Sequence, residues 1–164
     1  MPLRERTNFD QTGSRQNQFS MMIRFESEPG VQSADMDERK KDQLFQQGLE
    51  AFNSAQFFEA HEHWEEVWLE TPVPDKAFLQ GLIQVAAAFH HYTRENRRGA
   101  QRLLAAGLAK LELFPGVHWG LEIEAFRESV RPWLAALAIG QAPDPDRIPH
   151  IQCGGPGGAP SETK

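Results

Sequence analysis

Apolar residues recur at intervals of three and four positions throughout residues 44–139, and this helical period constrains the fold more than any other feature of the chain. No stretch of useful length within that region shows the alternation typical of a strand. The flanking sequence is polar or rich in proline and glycine and cannot bury enough apolar surface to order itself. We therefore predict an all-α protein whose helical domain covers residues 36–139, between a disordered leader (1–35) and a disordered Pro/Gly-rich tail (140–164).

Five amphipathic segments divide the helical region, and short breaks containing proline, glycine or small polar residues separate them. The predicted helices cover residues 37–53, 57–70, 75–95, 98–113 and 121–138. The third segment is apolar nearly all round, which predicts a central, buried helix with Asp75 as its N-cap. Trp64 and Trp68 lie in the apolar stripe of the second segment and are predicted core residues. Short connections favour antiparallel neighbours, so the sequence predicts a compact antiparallel bundle of about five helices.

Charge and cysteine content narrow the classes of partner and compartment. The net charge is -6, whereas a general nucleic-acid binder needs a basic surface to meet phosphates. Cys153 is the only cysteine, so neither an intramolecular disulfide nor a cysteine-based zinc site can form. No apolar run approaches the roughly 20 residues of a membrane helix. We expect a soluble cytoplasmic protein with no nucleic-acid or membrane partner, or an organellar stromal one if the leader is a transit peptide.

The segment EAHEHWEEVW combines two histidines with four glutamates in the second predicted helix. On a helical wheel His61 falls on the apolar face, while most of the other charges point to water. Glu65 follows His61 by four residues and flanks the same face, so the two side chains can touch. Glu62 lies further round, at the rim. A buried histidine beside a carboxylate needs hydrogen-bonding partners.

The third predicted helix offers those partners, because Gln80 and Gln84 interrupt its apolar surface. If the turn between the second and third helices is centred near residue 73, residues whose numbers sum to about 146 lie opposite each other. His61 then faces Gln84, and Glu65 faces Gln80 or Gly81. The small Gly81 would let these two helices approach closely. The sequence thus predicts a buried polar cluster of His61, Glu62, Glu65, Gln80 and Gln84.

Two functions fit this polar cluster. A satisfied buried network can fix the packing of a non-enzymatic protein-interaction or scaffold module with an unidentified protein partner, and we predict this function, with no cofactor. The alternative is a metal-dependent hydrolase-like enzyme using His61, Glu62 and Glu65, with His61 and Glu65 as ligands of a divalent metal. Familiar metal spacings are missing, since Glu65 stands where the His-Glu-x-x-His pattern requires its second histidine.

Histidines and arginines cluster around the break between the third and fourth predicted helices. His90 and His91 lie near a helix C-terminus, where an imidazolium is favourable. Four basic residues follow them: Arg94, Arg97, Arg98 and Arg102. Such a run is usually a solvated face, and the alternative is an anion-binding or partner-binding site.

Three blocks of this chain closely resemble the bacterial, archaeal and plastid family called domain of unknown function 309 (DUF309). The blocks are FNSAQFFEAHEHWEEVW, FLQGLIQVAAAFHHY and ENRRGAQRLL, and the resemblance spans about residues 42–114. It implies a compact all-α fold, and because the family has no established activity it leaves the function open. The residues at the family's motif positions are Glu59, His61, Glu62, Trp68, Gln80, Gly81, Gln84, Asn96 and Gly99.

A weaker likeness connects the first two predicted helices with one tetratricopeptide hairpin. Gly48, Ala60, Trp64 and Pro72 stand at the spacings of that repeat's glycine, alanine, aromatic and proline positions. A shift of 34 residues does not reproduce the pattern, so a solenoid is disfavoured. The shared helix-turn-helix packing is consistent with a protein-binding role.

Overall fold

The computed structural model describes residues 37–114 and 116–154. Those residues form five helices: α1 (Glu38–Asn53), α2 (Phe57–Leu69), α3 (Asp75–Thr93), α4 (Arg97–Leu111) and α5 (Ile123–Ala138). Each boundary agrees with the predicted one to within two residues, and the all-α class is confirmed. The predicted leader and the last ten residues of the predicted tail lie outside the described residues.

Each helix packs against the next one in the chain, and the turns between the first four are short. The central helix α3 contacts both α2 and α4, and Leu79, Val85 and Ala86 on it are fully buried. The ring of Phe57 on α2 stacks on Phe89 of α3 with 5.2 Å between ring centroids. This pair keeps the register expected from the sequence, since the two residue numbers sum to 146.

The indole of Trp64 holds α1 against α2. It is fully buried, and its Nε1 donates a hydrogen bond to the carbonyl oxygen of Phe45 at 3.1 Å. Gly48 lies directly against the indole, where an added Cβ would overlap the ring. Trp64 is therefore a core residue, as predicted, but Trp68 is only partly buried. The Lys76 ammonium lies 4.2 Å from the Trp68 ring centroid, within the range of a cation–π contact.

Gly81 brings α3 close to α4 rather than to α2, so the predicted role of this glycine between α2 and α3 is wrong. A Cβ added at Gly107 of α4 would lie 2.9 Å from the Gly81 carbonyl oxygen. A Cβ at Gly81 would in turn meet the Leu111 side chain at 2.9 Å. The two glycines permit a backbone approach that any side chain would block.

A small antiparallel ribbon connects α4 to α5. Its strands are β1 (Val117–His118) and β2 (Leu121–Glu122), and the turn between them contains Trp119 with φ 48° and Gly120 with φ 73°. Two-residue strands are too short to show alternation, so no sequence pattern indicates them.

The ribbon is tied to the start of α3, where His118 Nε2 lies 2.9 Å from Asp75 Oδ1. Pro74 holds the N-cap position of α3 without a side-chain hydrogen bond, and Asp75 is the first helical residue. The prediction of Asp75 as an N-cap is therefore wrong. Its carboxylate instead links α3 to a strand 43 residues further along the chain.

The segment 141–154 packs on the bundle, so the predicted start of the tail at residue 140 is wrong for this part of the chain. Ile151 is buried, its backbone N–H donates to Asn53 Oδ1 at 2.8 Å and its carbonyl oxygen accepts from Asn53 Nδ2 at 2.9 Å. Trp133 Nε1 donates to the Arg147 carbonyl oxygen at 2.8 Å. This attachment uses backbone hydrogen bonds and a few buried side chains, Pro143, Pro149 and Ile151, which leave no periodic signature. Within the described residues, no helix is both long and apolar enough to cross a membrane.

Candidate functional site

The polar cluster begins with two residues one turn apart on α2. His61 is 3% exposed and faces the core, whereas the Glu65 side chain is 35% exposed at the edge of the same face. His61 Nε2 and Glu65 Oε2 are 3.8 Å apart, which is within electrostatic contact but longer than a hydrogen bond. The helix therefore brings the two residues together, as the four-residue spacing predicts.

Burial controls the protonation of this pair. Desolvation, together with the positive charge of His90, lowers the pKa of His61 to about 4. Burial and the neighbouring Glu62 carboxylate raise the pKa of Glu65 above its usual value. His61 is thus neutral at pH 7, and its contact with Glu65 is not an ion pair under those conditions.

Two more histidines extend the cluster along α3. The Phe58 ring contacts both His61 and His90, with centroid distances of 6.2 Å and 5.4 Å. Burial and then the positive charge of Arg94 lower the pKa of His90 and also that of His91. All three imidazoles therefore favour the neutral form.

Asn96 connects these histidines to α4. Its Nδ2 donates to His91 Nδ1 at 2.9 Å, and its Oδ1 accepts from the Gly99 backbone N–H at 2.9 Å, which caps α4. A Cβ at Gly99 would lie 2.6 Å from Asn96 Nδ2. The side chain and the glycine are thus matched, which gives a physical reason for the two residue types at these motif positions.

The remaining predicted members of the polar cluster are less tightly associated. Glu62 is exposed, and Gln80 and Gln84 are partly buried on α3. Gln84 Oε1 is itself buried and has no hydrogen-bond partner among the described residues. This oxygen does not make the expected link to α2, while a role for Gln80 in the cluster stays a prediction.

The donor set does not fit a resident metal. A protein zinc site takes three or four side-chain ligands, and His61 with Glu65 supplies two. Across residues 37–114 and 116–154, no group of three or more histidine, cysteine or acidic side chains could hold a metal ion.

The predicted arginine cluster lies at the turn between α3 and α4. Arg94 is the C-cap of α3, and Arg97 and Arg98 begin α4. These three residues and Arg102 are all exposed, and none forms a salt bridge with a described carboxylate. The structure therefore leaves both interpretations open, and an anion-binding or partner-binding role stays a prediction.

Exposed apolar side chains are concentrated at the opposite end of the bundle. Leu69 at the end of α2 and Val73 in the α2–α3 connection are 51% and 79% exposed. Leu113 in the α4–β1 connection and Val117 at the start of β1 are 69% and 54% exposed. Among the described residues only one other large hydrophobic side chain, that of Ile139, is comparably exposed. We call the first four residues the loop-end surface.

The two connections that carry the loop-end surface are held together by His118. Its Nε2 contacts Asp75, two residues after Val73, and its ring lies 4.6 Å from Phe78 and 4.7 Å from Phe114 between centroids. The apolar side chains are thus presented on a fixed framework rather than on separate loops.

Arg127 is a buried charge that the sequence analysis missed. It is 8% exposed on α5, its Nη1 donates a long hydrogen bond of 3.4 Å to the Leu111 carbonyl oxygen, and its Nε has no partner within the described residues. The helical wheel contained the signal, because Arg127 follows Ile123 by four residues and precedes Val130 by three. It therefore lies in the apolar stripe of α5.

Comparison with known proteins connects this architecture to chains that have no assigned function. A 57-residue stretch is 42% identical to the uncharacterized protein YpuF of Bacillus subtilis (strain 168), covering 34% of this chain and 33% of that protein. A 107-residue stretch is 31% identical to an uncharacterized protein of Aquifex aeolicus (strain VF5), covering 62% of this chain and 31% of that one. The chain thus spans about a third of the length of these relatives.

A family model also matches the segment that carries the polar cluster. Residues 45–103 match the model described as "Domain of unknown function (DUF309)". The match extends from α1 into α4 and includes every motif residue named above, from Glu59 to Gly99. The resemblance read from the sequence is confirmed for residues 45–103, which match this family model.

Proposed function

We propose that this domain is a non-enzymatic protein-interaction module that binds a protein partner on the loop-end surface. The observation that carries the proposal is the exposure of four large apolar side chains at the same end of the bundle: Leu69, Val73, Leu113 and Val117. Exposed apolar residues scattered singly need no explanation, whereas a shared surface of them is typical of an interaction site.

The energetics favour a partner at this surface. Covering apolar area stabilises a complex by about 25 cal/mol per Å² removed from water. The Asp75–His118 contact links the start of α3 to β1, which reduces the conformational entropy that this end of the bundle would lose on binding. A preorganised apolar surface is therefore suited to a protein partner.

In this proposal the polar cluster supports the architecture of the bundle. His61 is buried and neutral, and Asn96 joins the end of α3 to the start of α4. A buried imidazole on α2 and a side chain that joins two helices favour one packing arrangement over others. The hydrolase-like alternative on His61, Glu62 and Glu65 has a weaker basis, since only two of these residues are close together and a metal needs further ligands.

We assign the module to the cytoplasm, where a free cysteine such as Cys153 stays reduced. The net charge of -6 favours a protein partner over nucleic acid or an anionic membrane. The arginine cluster at the far end of the bundle remains available as a second contact region for the same partner.

Site-specific photo-crosslinking tests the proposal. A benzophenone amino acid is introduced at Val73 or Val117, with Glu50 on the exposed side of α1 as the control position. Irradiation of cells that produce these variants should give the same discrete crosslinked protein from Val73 and Val117 and not from Glu50. Products that are absent, or that are the same at all three positions, would contradict an interaction site on the loop-end surface.

A further inference from the structure

We propose that the Arg127 guanidinium is an anchor for a carboxylate of the partner, so that the segment bound at the loop-end surface carries an acidic group beside its apolar side chains. This inference rests on the proposed function and specifies the chemistry of the partner. Arg127 is 8% exposed and still carries a full positive charge.

The hydrogen-bonding capacity of Arg127 is largely unused. A guanidinium has five N–H donors. Among the described residues Arg127 makes one side-chain hydrogen bond, the 3.4 Å contact from Nη1 to the Leu111 carbonyl oxygen, and its buried Nε makes none. Taking a charged group out of water is unfavourable unless an opposite charge and further hydrogen bonds compensate for it.

Two of the carboxylates nearby on α4 and α5 are engaged by a different arginine, and Glu124, three residues before Arg127 on α5, is exposed and forms no salt bridge with Arg127. Arg131 forms salt bridges with Glu128 and, at 3.5 Å, with Glu112. No acidic residue of the described part of the chain forms a salt bridge with Arg127. Arg131 is about half exposed and paired, whereas Arg127 is buried and lacks a carboxylate.

The protein supplies partial compensation through the end of α4. Leu111 is the last residue of that helix, and helix C-termini carry a partial negative charge that favours cations. A helix end stabilises a cation much less than a paired carboxylate does, because it offers a fractional charge and here a single long hydrogen bond. The charge of Arg127 thus remains incompletely balanced within the described fold.

The position of Arg127 connects it to the loop-end surface. Leu111, which accepts its hydrogen bond, is two residues before the exposed Leu113. The first turn of α5 holds the loop that precedes Val117, since the backbone N–H of Ile123 donates to the Gly116 carbonyl oxygen at 3.0 Å. A carboxylate bound to Arg127 would therefore lie near the chain segments that carry Leu113 and Val117.

N-acetyl-L-leucine is a small probe that carries both an apolar side chain and a carboxylate. Its neutral analogue N-acetyl-L-leucinamide lacks the carboxylate. Both are titrated into the full chain while the methyl resonances of Leu113 and Val117 and the Nε–H resonance of Arg127 are followed by NMR. We expect the acid to shift all three sets of resonances and to bind at least tenfold more tightly than the amide.

Substitutions assign that preference to Arg127. R127M should abolish the preference for the acid, and R127Q provides a second neutral variant if R127M fails to fold. The matched control R131M removes the neighbouring, already paired arginine and should keep the preference. We also expect R127M to melt at the same temperature as the wild type or higher, because it removes an incompletely compensated buried charge.

Equal affinity for the two probes in the wild type, or an unchanged acid preference in both neutral variants, would overturn the assignment. A lower melting temperature in R127M with an unchanged acid preference would identify Arg127 as a structural cap of α4. Crosslinks from Val73 and Val117 that persist unchanged in R127M would reject the anchor while keeping the proposed function. An acid preference that depends on Arg127, without specific crosslinks, would reject the proposed function while keeping the anion site.

Discussion

At the scale of the residue, His61 shows how burial determines chemistry. The imidazole lies on the core face of α2, and desolvation with the nearby charge of His90 lowers its pKa from the usual 6.5 to about 4. A histidine that favours the neutral form in this way suits a structural position, because a buried imidazolium would need a strong counter-charge. Its nearest carboxylate, Glu65, is 3.8 Å away and has a raised pKa of its own.

This lowered pKa makes stability depend on pH in a defined direction. Between pH 6.5 and about 4 the unfolded chain binds a proton at His61 that the folded chain does not bind. The stabilisation is therefore complete above pH 6.5 and is lost as the pH falls, by up to roughly 3 kcal/mol. His90 and His91 act in the same direction, and the raised pKa of Glu65 acts in the opposite one.

Urea unfolding at a series of pH values checks this expectation. His61→Gln should flatten the profile between pH 6.5 and 4, whereas the control His63→Gln, on the other side of α2, should keep the wild-type slope. Parallel profiles for the wild type and His61→Gln would show that His61 titrates normally and is not the buried group described here.

The two tryptophans of α2 give a second residue-scale prediction. Trp64 is fully buried and bonded to the Phe45 carbonyl oxygen, so Trp64→Ala should lower the free energy of unfolding by roughly 3–5 kcal/mol. Trp68→Ala should cost clearly less, because that indole is partly exposed. Chemical denaturation followed by circular dichroism measures both, and equal losses would contradict the assigned burial.

At the scale of the element, the periodicity of apolar residues was sufficient to predict the helices but not the segments that connect them. The repeat of apolar residues gave all five helices and the facing of Phe57 and Phe89, because a buried helix face must repeat every three to four residues. It could not reveal the ribbon at Val117 and Leu121, whose strands have two residues each. The apolar repeat also did not predict the partial exposure of Trp68, because a helical wheel cannot show which neighbouring residues cover a position.

In the candidate site, contacts within one helix could be predicted from the sequence, whereas contacts between distant residues could not. The pairing of His61 with Glu65 followed from their spacing within one helix, whereas the contact of His118 with Asp75 joins residues 43 positions apart and depends on tertiary structure. Arg127 could have been found, because its position in the apolar stripe of α5 is visible in the sequence.

The C-terminal segment is the element with the most direct test. A chain truncated after Gly140 lacks the Ile151 anchor and the two hydrogen bonds that join Ile151 to Asn53. It should remain helical but lose roughly 2–4 kcal/mol of stability. A chain truncated after Gly154 serves as the control and should melt like the wild type. Identical melting temperatures for the two truncations would show that residues 141–154 add nothing to the fold.

At the scale of the whole molecule, the polar and apolar features lie in different places. His61 of α2 and the histidines His90 and His91 of α3 lie towards the arginine-bearing turn, while the exposed apolar side chains lie at the other end of the bundle. The proposed binding role rests on the buried His61, on the Asn96 contacts that join α3 to α4, and on the exposed apolar side chains at the loop end of the bundle.

The central claim is that His61 and Glu65 serve architecture and not a metal, and metal content measures this most directly. Protein purified without an affinity tag or chelator is examined by elemental analysis, and its melting temperature is recorded with and without added zinc or manganese for the wild type, His61→Ala and His61→Gln. We expect no stoichiometric metal, no metal-dependent rise in melting temperature, a loss of about 1–3 kcal/mol in His61→Ala, and a partial recovery of that loss in His61→Gln. Near one equivalent of metal in the wild type, lost in His61→Gln, would contradict the central claim.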